Sequence, residues 1–182
     1  MVAQSAEARI GPNAILQLVP VLDRLEGRPA RDRLLHGIAL PPEDAGMWPE
    51  AQCRAAHLAV WAGCGDRAPA IFAAAGQGTA DYILAHRIPW PAQGLIRALP
   101  AAIGARLLTA AITRHAWTFA GSGRFSVTSR RPLIFEITAN PLAFQGKPCP
   151  WHAAVFARLF QSLVWPAARV EAEGSRFRIH PH

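Results

Sequence analysis

The spacing of the apolar residues changes once along this chain, near Trp117, and that change restricts the fold more than any motif does. Before it, apolar side chains recur every three or four residues; after it, they alternate. Residues 12–26 place Ile15, Leu18, Val19, Leu22 and Leu25 at helical spacing. A kink is expected at Pro20, which lacks an amide donor and crowds the carbonyl four residues earlier. Gly27-Arg28-Pro29 is expected to end this helix, Gly just past the last turn and Pro beyond it. A short helix is predicted around residues 31–38, stopped by Pro41-Pro42, and Pro49 then opens a helix to about Trp61. Asp66 is the expected N-cap of the next helix, which runs to about His86 with Ile71, Ala75, Tyr82 and Ile83 inward. Gly76 and Gly78 should weaken or break it. Beyond Pro89-Trp90-Pro91, the residues Leu95, Leu99, Ile103, Leu107 and Ala111 lie four apart. They predict one helix ending near His115, with that stripe as its packed face.

After the change, Trp117, Phe119, Phe125 and Val127 suggest one or two strands interrupted by Gly121-Ser122-Gly123. Leu133, Phe135 and Ile137 occupy one face of a further strand, with Ile134, Glu136 and Thr138 on the other. A helix is predicted from about Pro150 to Val164, with Trp151, Val155, Leu159 and Leu163 in a row. A hairpin closes the chain, Arg169–Glu173 and Phe177–Ile179 around Gly174. This order predicts an α+β fold, N-terminal helices packed with a small antiparallel sheet, as one domain over residues 1–182. Residues 1–9 are expected to be flexible.

The chain has 182 residues, enough for one hydrophobic core. Half are apolar, yet no stretch approaches the ~20 uninterrupted apolar residues of a membrane span. No charged segment followed by an apolar run marks a secretory signal. The expectation is a cytoplasmic protein. The net charge of +7 comes from eighteen Arg and the single Lys147. Nucleic-acid binders gather such charge in runs or on one face; here the only adjacent pair is Arg130-Arg131, so nucleic acid is not an expected partner. Attraction to an anionic membrane surface or to an acidic ligand fits the charge equally well. Three unpaired cysteines, Cys53, Cys64 and Cys149, supply no disulfide framework and no metal site.

Three segments carry a resemblance: Arg9-Ile10-Gly11-Pro12-Asn13-Ala14-Ile15-Leu16, Phe135-Glu136-Ile137-Thr138-Ala139-Asn140-Pro141 and Pro148-Cys149-Pro150-Trp151-His152. Together they resemble the bacteriochlorophyll 4-vinyl reductase family, the J-type proteins of photosynthesis gene clusters. The resemblance implies a domain similar to TRAPP-type vesicle-tethering subunits, with a narrow apolar pocket and a homodimer formed through helices. It implies a tetrapyrrole ligand, a porphyrin or magnesium porphyrin, and a location peripheral to the photosynthetic membrane. It leaves three functions open. The expected one is a carrier of porphyrin intermediates to or from magnesium chelatase and the following methyltransferase. Another is a reductase of the 8-vinyl group (4-vinyl in the older numbering) that draws on an external reductant. The third is a module that senses or assembles around a lipid or hydrocarbon.

A self-sufficient reductase needs a site for hydride or electrons. Gly63-Cys64-Gly65, Gly76-Gln77-Gly78 and Gly121-Ser122-Gly123 all lack the third glycine and the strand-to-helix setting of a dinucleotide site. Three dispersed cysteines cannot hold a four-ligand cluster. No intrinsic cofactor or resident metal is therefore expected. For a tetrapyrrole, His152 is the candidate axial ligand, since the positive end of its helix favours a neutral ring; the alternative is a helix-start histidine that packs or hydrogen-bonds. Trp151, Phe156, Trp90 and Trp117 are candidate apolar walls. His115 is the second candidate histidine, at a helix C-terminus that favours the charged ring. Cys149 lies directly before a helix whose positive end would lower its thiol pKa; it reads as a buried structural cysteine or, as the resemblance implies, as a residue near the pocket. Arg114, Arg130 and Arg131 are candidate partners for propionate groups. His57 and His86 are expected to pack or face solvent, and His180 and His182 to be solvated.

Overall fold

A computed structural model describes residues 7–181. The expected pliancy of residues 1–9 falls largely outside these, as does His182; Arg9 itself opens a short strand. That strand, β1 (Arg9–Ile10), pairs antiparallel with β2 (Trp48–Pro49), and the chain between them forms α1 (Asn13–Leu16), α2 (Leu18–Leu25) and α3 (Arg28–Leu34). The first predicted helix is thus divided at Gln17, three residues before Pro20. Pro20 has no amide hydrogen for the Leu16 carbonyl, and the helical ladder breaks just after that residue. Gly27 stops α2 at φ +83° with its amide on the Leu22 carbonyl, while Pro29 starts the next helix instead of following a stop.

α4 (Glu50–Cys64) and α5 (Ala68–His86) follow, joined by a tight turn at Gly65–Arg67. Asp66 lies in that turn and does not cap α5. Nor do Gly76 and Gly78 break the helix. A Cβ on Gly76 would collide with the Trp151 carbonyl and come within 2.9 Å of the Ala154 Cβ. The missing side chain admits α9 (Pro150–Leu163), which meets α5 at the Trp151 carbonyl and Ala154 and through the Arg158–Asp81 ion pair.

Where one helix was expected after Pro89 there are two, α6 (Trp90–Ala98) and α7 (Ala101–Arg114). Leu99 is extended (φ −80°, ψ 155°) because Pro100 disfavours the helical conformation of the residue before it. The packed face is also the other one. α7 buries Gly104, Ala105, Leu108, Thr109 and Ile112, whereas Leu95, Ile103 and Leu107 of the expected stripe are 59%, 44% and 43% exposed. Trp117 and Phe119, expected in a strand, form the short helix α8 (Trp117–Ala120).

The sheet contains β3 (Arg124–Arg130), β4 (Leu133–Thr138), β5 (Arg169–Glu173) and β6 (Arg176–His180), all antiparallel in the order β3-β4-β6-β5. Phe135 pairs with Phe177 and Leu133 with Ile179 across β4 and β6. Phe135, Ile137, Phe177 and Ile179 face inward and are buried, with Phe156 of α9 edge-on and Phe160 tilted against Phe135. The architecture is α+β, as expected.

Gly76→Ala should lower unfolding stability by about 1–3 kcal/mol, because α5 and α9 must part to admit the methyl group. Gly94→Ala, in α6 with open space around it, should raise stability by up to about 1 kcal/mol. Urea denaturation of the two variants checks the contrast, and equal effects would count against a packing role for Gly76.

Candidate functional site

α9 begins beneath the sheet, so its first turn carries His152 into the core, where the residue is fully buried. The Phe119 carbonyl lies 3.0 Å from Nε2 and can only accept, so Nε2 bears the hydrogen. Nδ1 then accepts from the Asn140 side-chain amide at 3.2 Å, and Asn140 Oδ1 accepts the Leu142 amide at 3.0 Å. Burial pushes the pKa of His152 down to about 3 against the opposing pull of the Phe119 carbonyl. The ring is neutral, as the sequence suggested, but burial accounts for most of that. In this arrangement both nitrogens are engaged, and His152 has no lone pair for a metal. It ties α8 and the 139–149 loop to the start of α9.

Trp151 and Phe156 lie beside it, with ring centroids 4.8 and 6.2 Å from the imidazole. Cys149 is buried as well, and burial drives its thiol up to about 12, outweighing the His152 and Trp151 backbone amides that favour the thiolate. The expected lowering does not occur, because the helix end that was to supply it is enclosed in apolar core.

A second histidine has what His152 lacks. Cys53, His57, Val60 and Cys64 form one stripe of α4, and all are buried. His57 Nε2–H donates to the Ala14 carbonyl at 3.0 Å, while Nδ1 is buried without a partner. The ring stacks on Phe72 at 4.6 Å and stands edge-on to Trp151 at 6.4 Å, and Trp151 Nε1 is also buried without a partner. An unpaired acceptor and an unpaired donor thus share one aromatic cluster, each at a penalty of about 1–3 kcal/mol. Burial holds the pKa of His57 near 4, so the ring is neutral. A neutral imidazole with one N–H pinned by a carbonyl and a lone pair free on the other nitrogen is how metal-ligating histidines are oriented. The 53-57-60-64 spacing is the signal in the sequence that would have placed His57 on the buried face.

From His57 a row of rings leads outward. Trp61 tilts on Phe72 at 5.4 Å, and Phe144 of the 139–149 loop stacks on Trp61 at 5.3 Å. The Lys147 ammonium sits 5.7 Å from the Trp61 ring. Two surface cavities, of about 280 Å³ along Leu84–Gln93 and about 290 Å³ between Leu34 and Arg67, do not reach either histidine. Both fall just under the roughly 300–1,000 Å³ usual for ligand pockets.

Of the expected site residues, His152, Cys149, Trp151 and Phe156 come together. Trp90 (83% exposed), Trp117 (59% exposed), His115, Arg114, Arg130 and Arg131 are exposed and do not join them. Glu136 accepts the Ser175 hydroxyl at 3.0 Å and pairs with Arg176 at 3.4 Å. Among the described residues no three His, Cys, Asp or Glu side chains gather to hold a metal.

The two buried histidines make stability depend on pH. Unfolded, each binds a proton below about 6.5; folded, they do so only near 4 and 3. The unfolded chain therefore holds more protons throughout this window. Stability should be complete above pH 6.5 and fall by about 1.4 kcal/mol per histidine per pH unit as pH drops toward 4. Melting temperatures across this range check it, and His57→Phe should halve the slope.

No protein-family model matches the chain. It is 56% identical over 173 residues to the bacteriochlorophyll synthase 23 kDa chain of Rhodobacter capsulatus, covering 92% of this chain and 81% of that one. It is 52% identical over 168 residues to the protein of the same name from Cereibacter sphaeroides, covering 89% and 82%. Among solved structures it resembles an Fe(II) unliganded H-NOX protein mutant from K. algicida, with a TM-score of 0.59 and 11% identity over 93% of this chain and 94% of that one. That likeness concerns the fold alone.

Proposed function

The chain belongs to the family of the bacteriochlorophyll synthase 23 kDa chains, and on that premise we propose that it binds a tetrapyrrole intermediate of bacteriochlorophyll biosynthesis as an accessory carrier. Family membership is the observation that carries this reading and supplies the pathway. The relatives' name makes them one chain of a synthase, which fits a protein that presents a pigment precursor to catalytic partners. Magnesium chelatase and the following methyltransferase are the partners proposed.

The residues here fit such a ligand at one place. His57 Nδ1 is the candidate axial nitrogen, replacing His152, whose ring nitrogens are both engaged. Trp61, Phe72, Phe144 and Trp151 provide apolar surroundings, and Lys147 a cation for a propionate. Entry requires the 139–149 loop to move off Trp61. Vinyl reduction, implied by the resemblance to 4-vinyl reductases, is the competing activity and needs an external reductant. A TRAPP-like pocket and a helix-mediated homodimer rest on that resemblance too.

Titration of the protein with divinyl magnesium-protoporphyrin and its metal-free form, followed at the Soret band with and without NADPH, tests the reading. A saturable shift without product is expected for both. His57→Ala should remove the metal-dependent part of the shift and leave metal-free binding in place. Conversion to the monovinyl product with NADPH alone would overturn the carrier reading. Absence of any shift would remove the tetrapyrrole.

A further inference from the structure

The net charge of this chain has a single source. Between Asp81 and Glu136 there is no acidic residue and there are seven arginines, from Arg87 to Arg131. The other twelve basic residues are matched by all twelve acids. The excess of +7 therefore belongs to the segment that folds into α6, α7, α8 and β3. The same segment carries Trp90, Leu95, Ile103, Leu107 and Trp117, five of the eight large apolar side chains exposed among the described residues. These elements adjoin, α7 packing against both α6 and β3.

α7 shows how the two properties combine. Its buried row is Gly104, Ala105, Leu108, Thr109 and Ile112. Opposite, helical spacing aligns Ile103, Leu107, Ala110 and Arg114 along the exposed side, with Arg106 on its flank. Arg106 and Arg114 are both exposed. No helix of the described residues is long and apolar enough to cross a membrane.

We infer that the α6–α7–β3 face docks on an anionic lipid bilayer, with α7 lying in the interface. Arginines then meet lipid phosphates, tryptophans sit at headgroup depth, and Ile103 and Leu107 reach the acyl boundary. A second copy fits less well, since it would set two strongly positive faces together. An acidic protein would neutralise the arginines but would need a matching pocket for each apolar side chain. A bilayer accepts them in any arrangement. This inference does not depend on tetrapyrrole binding.

The test is flotation of the whole protein with vesicles of phosphatidylcholine alone and of equal parts phosphatidylcholine and phosphatidylglycerol. Flotation is expected with the anionic vesicles, weakening as salt rises. Arg106→Glu with Arg114→Glu should reduce binding well over tenfold, at roughly fivefold for each arginine lost. Ile103→Glu with Leu107→Glu should do the same. Arg28→Glu with Arg33→Glu, exposed on α3, changes net charge equally and should retain most of the binding. All six positions are exposed, so melting curves should match the parent protein. No flotation with anionic vesicles, or equal loss in the α3 and α7 charge variants, would overturn the inference. Self-association abolished by the Ile103 and Leu107 substitutions, in place of flotation, would assign the face to a second copy and overturn it as well.

Discussion

The close approach of α5 and α9 at Gly76 is the contact on which the rest of this molecule depends. Only a residue without a side chain lets the α5 backbone lie against the Trp151 carbonyl. That approach sets the depth of α9, and the depth of α9 sets where Trp151 and His152 stand relative to α4, α8 and the sheet. The histidine bridge to Phe119 and Asn140, and the edge-on meeting of Trp151 with His57, both follow from it. A small residue in the middle of a long helix, weak by intrinsic propensity, is here a requirement of tertiary packing.

The two buried histidines show how similar residues acquire different roles from their partners. Both lose their charge to burial, and both donate one N–H to a backbone carbonyl. They differ only at Nδ1. Asn140 occupies that of His152 and makes the residue a structural tie. Nothing among the described residues occupies that of His57, which leaves a nitrogen able to bind. Helix-end electrostatics, the basis of the expectations for His152 and Cys149, is a small effect beside desolvation at these depths.

Much of the fold was legible from periodicity. The β4 alternation, the final hairpin and the apolar row of α9 all formed where their spacing put them, because both faces of those elements have clear destinations. The 90–115 segment was not legible, since its apolar residues recur on two faces. Ile103 and Leu107 are as regularly spaced as Leu108 and Ile112, and only packing decides which row turns inward. Gly104 and Ala105 belong to the buried row, and their small size suits close approach better than bulk does. Of the site, the residues adjacent in sequence to His152 lie together in the structure. The 53-57-60-64 spacing places His57 on the buried face of α4, but its unpartnered Nδ1 depends on tertiary contacts that no spacing reveals. The exposed tryptophans and arginines stand apart from His152 for a related reason: sequence shows residue type, not which surface a residue joins.

The His152 bridge has a mechanical consequence. Asn140 holds one end of the 139–149 loop through the imidazole, and Cys149, buried at the start of α9, fixes the other. A segment pinned at both ends moves as a short arc, not as a swinging arm. Phe144, near the middle of that arc, is displaced farthest by any flexing, while the pinned ends stay in place. Motions of such short loops fall in the nanosecond-to-microsecond range. Access to the rings beneath would then be governed by frequent, shallow excursions at constant register, with the tie at His152 keeping the loop on its track.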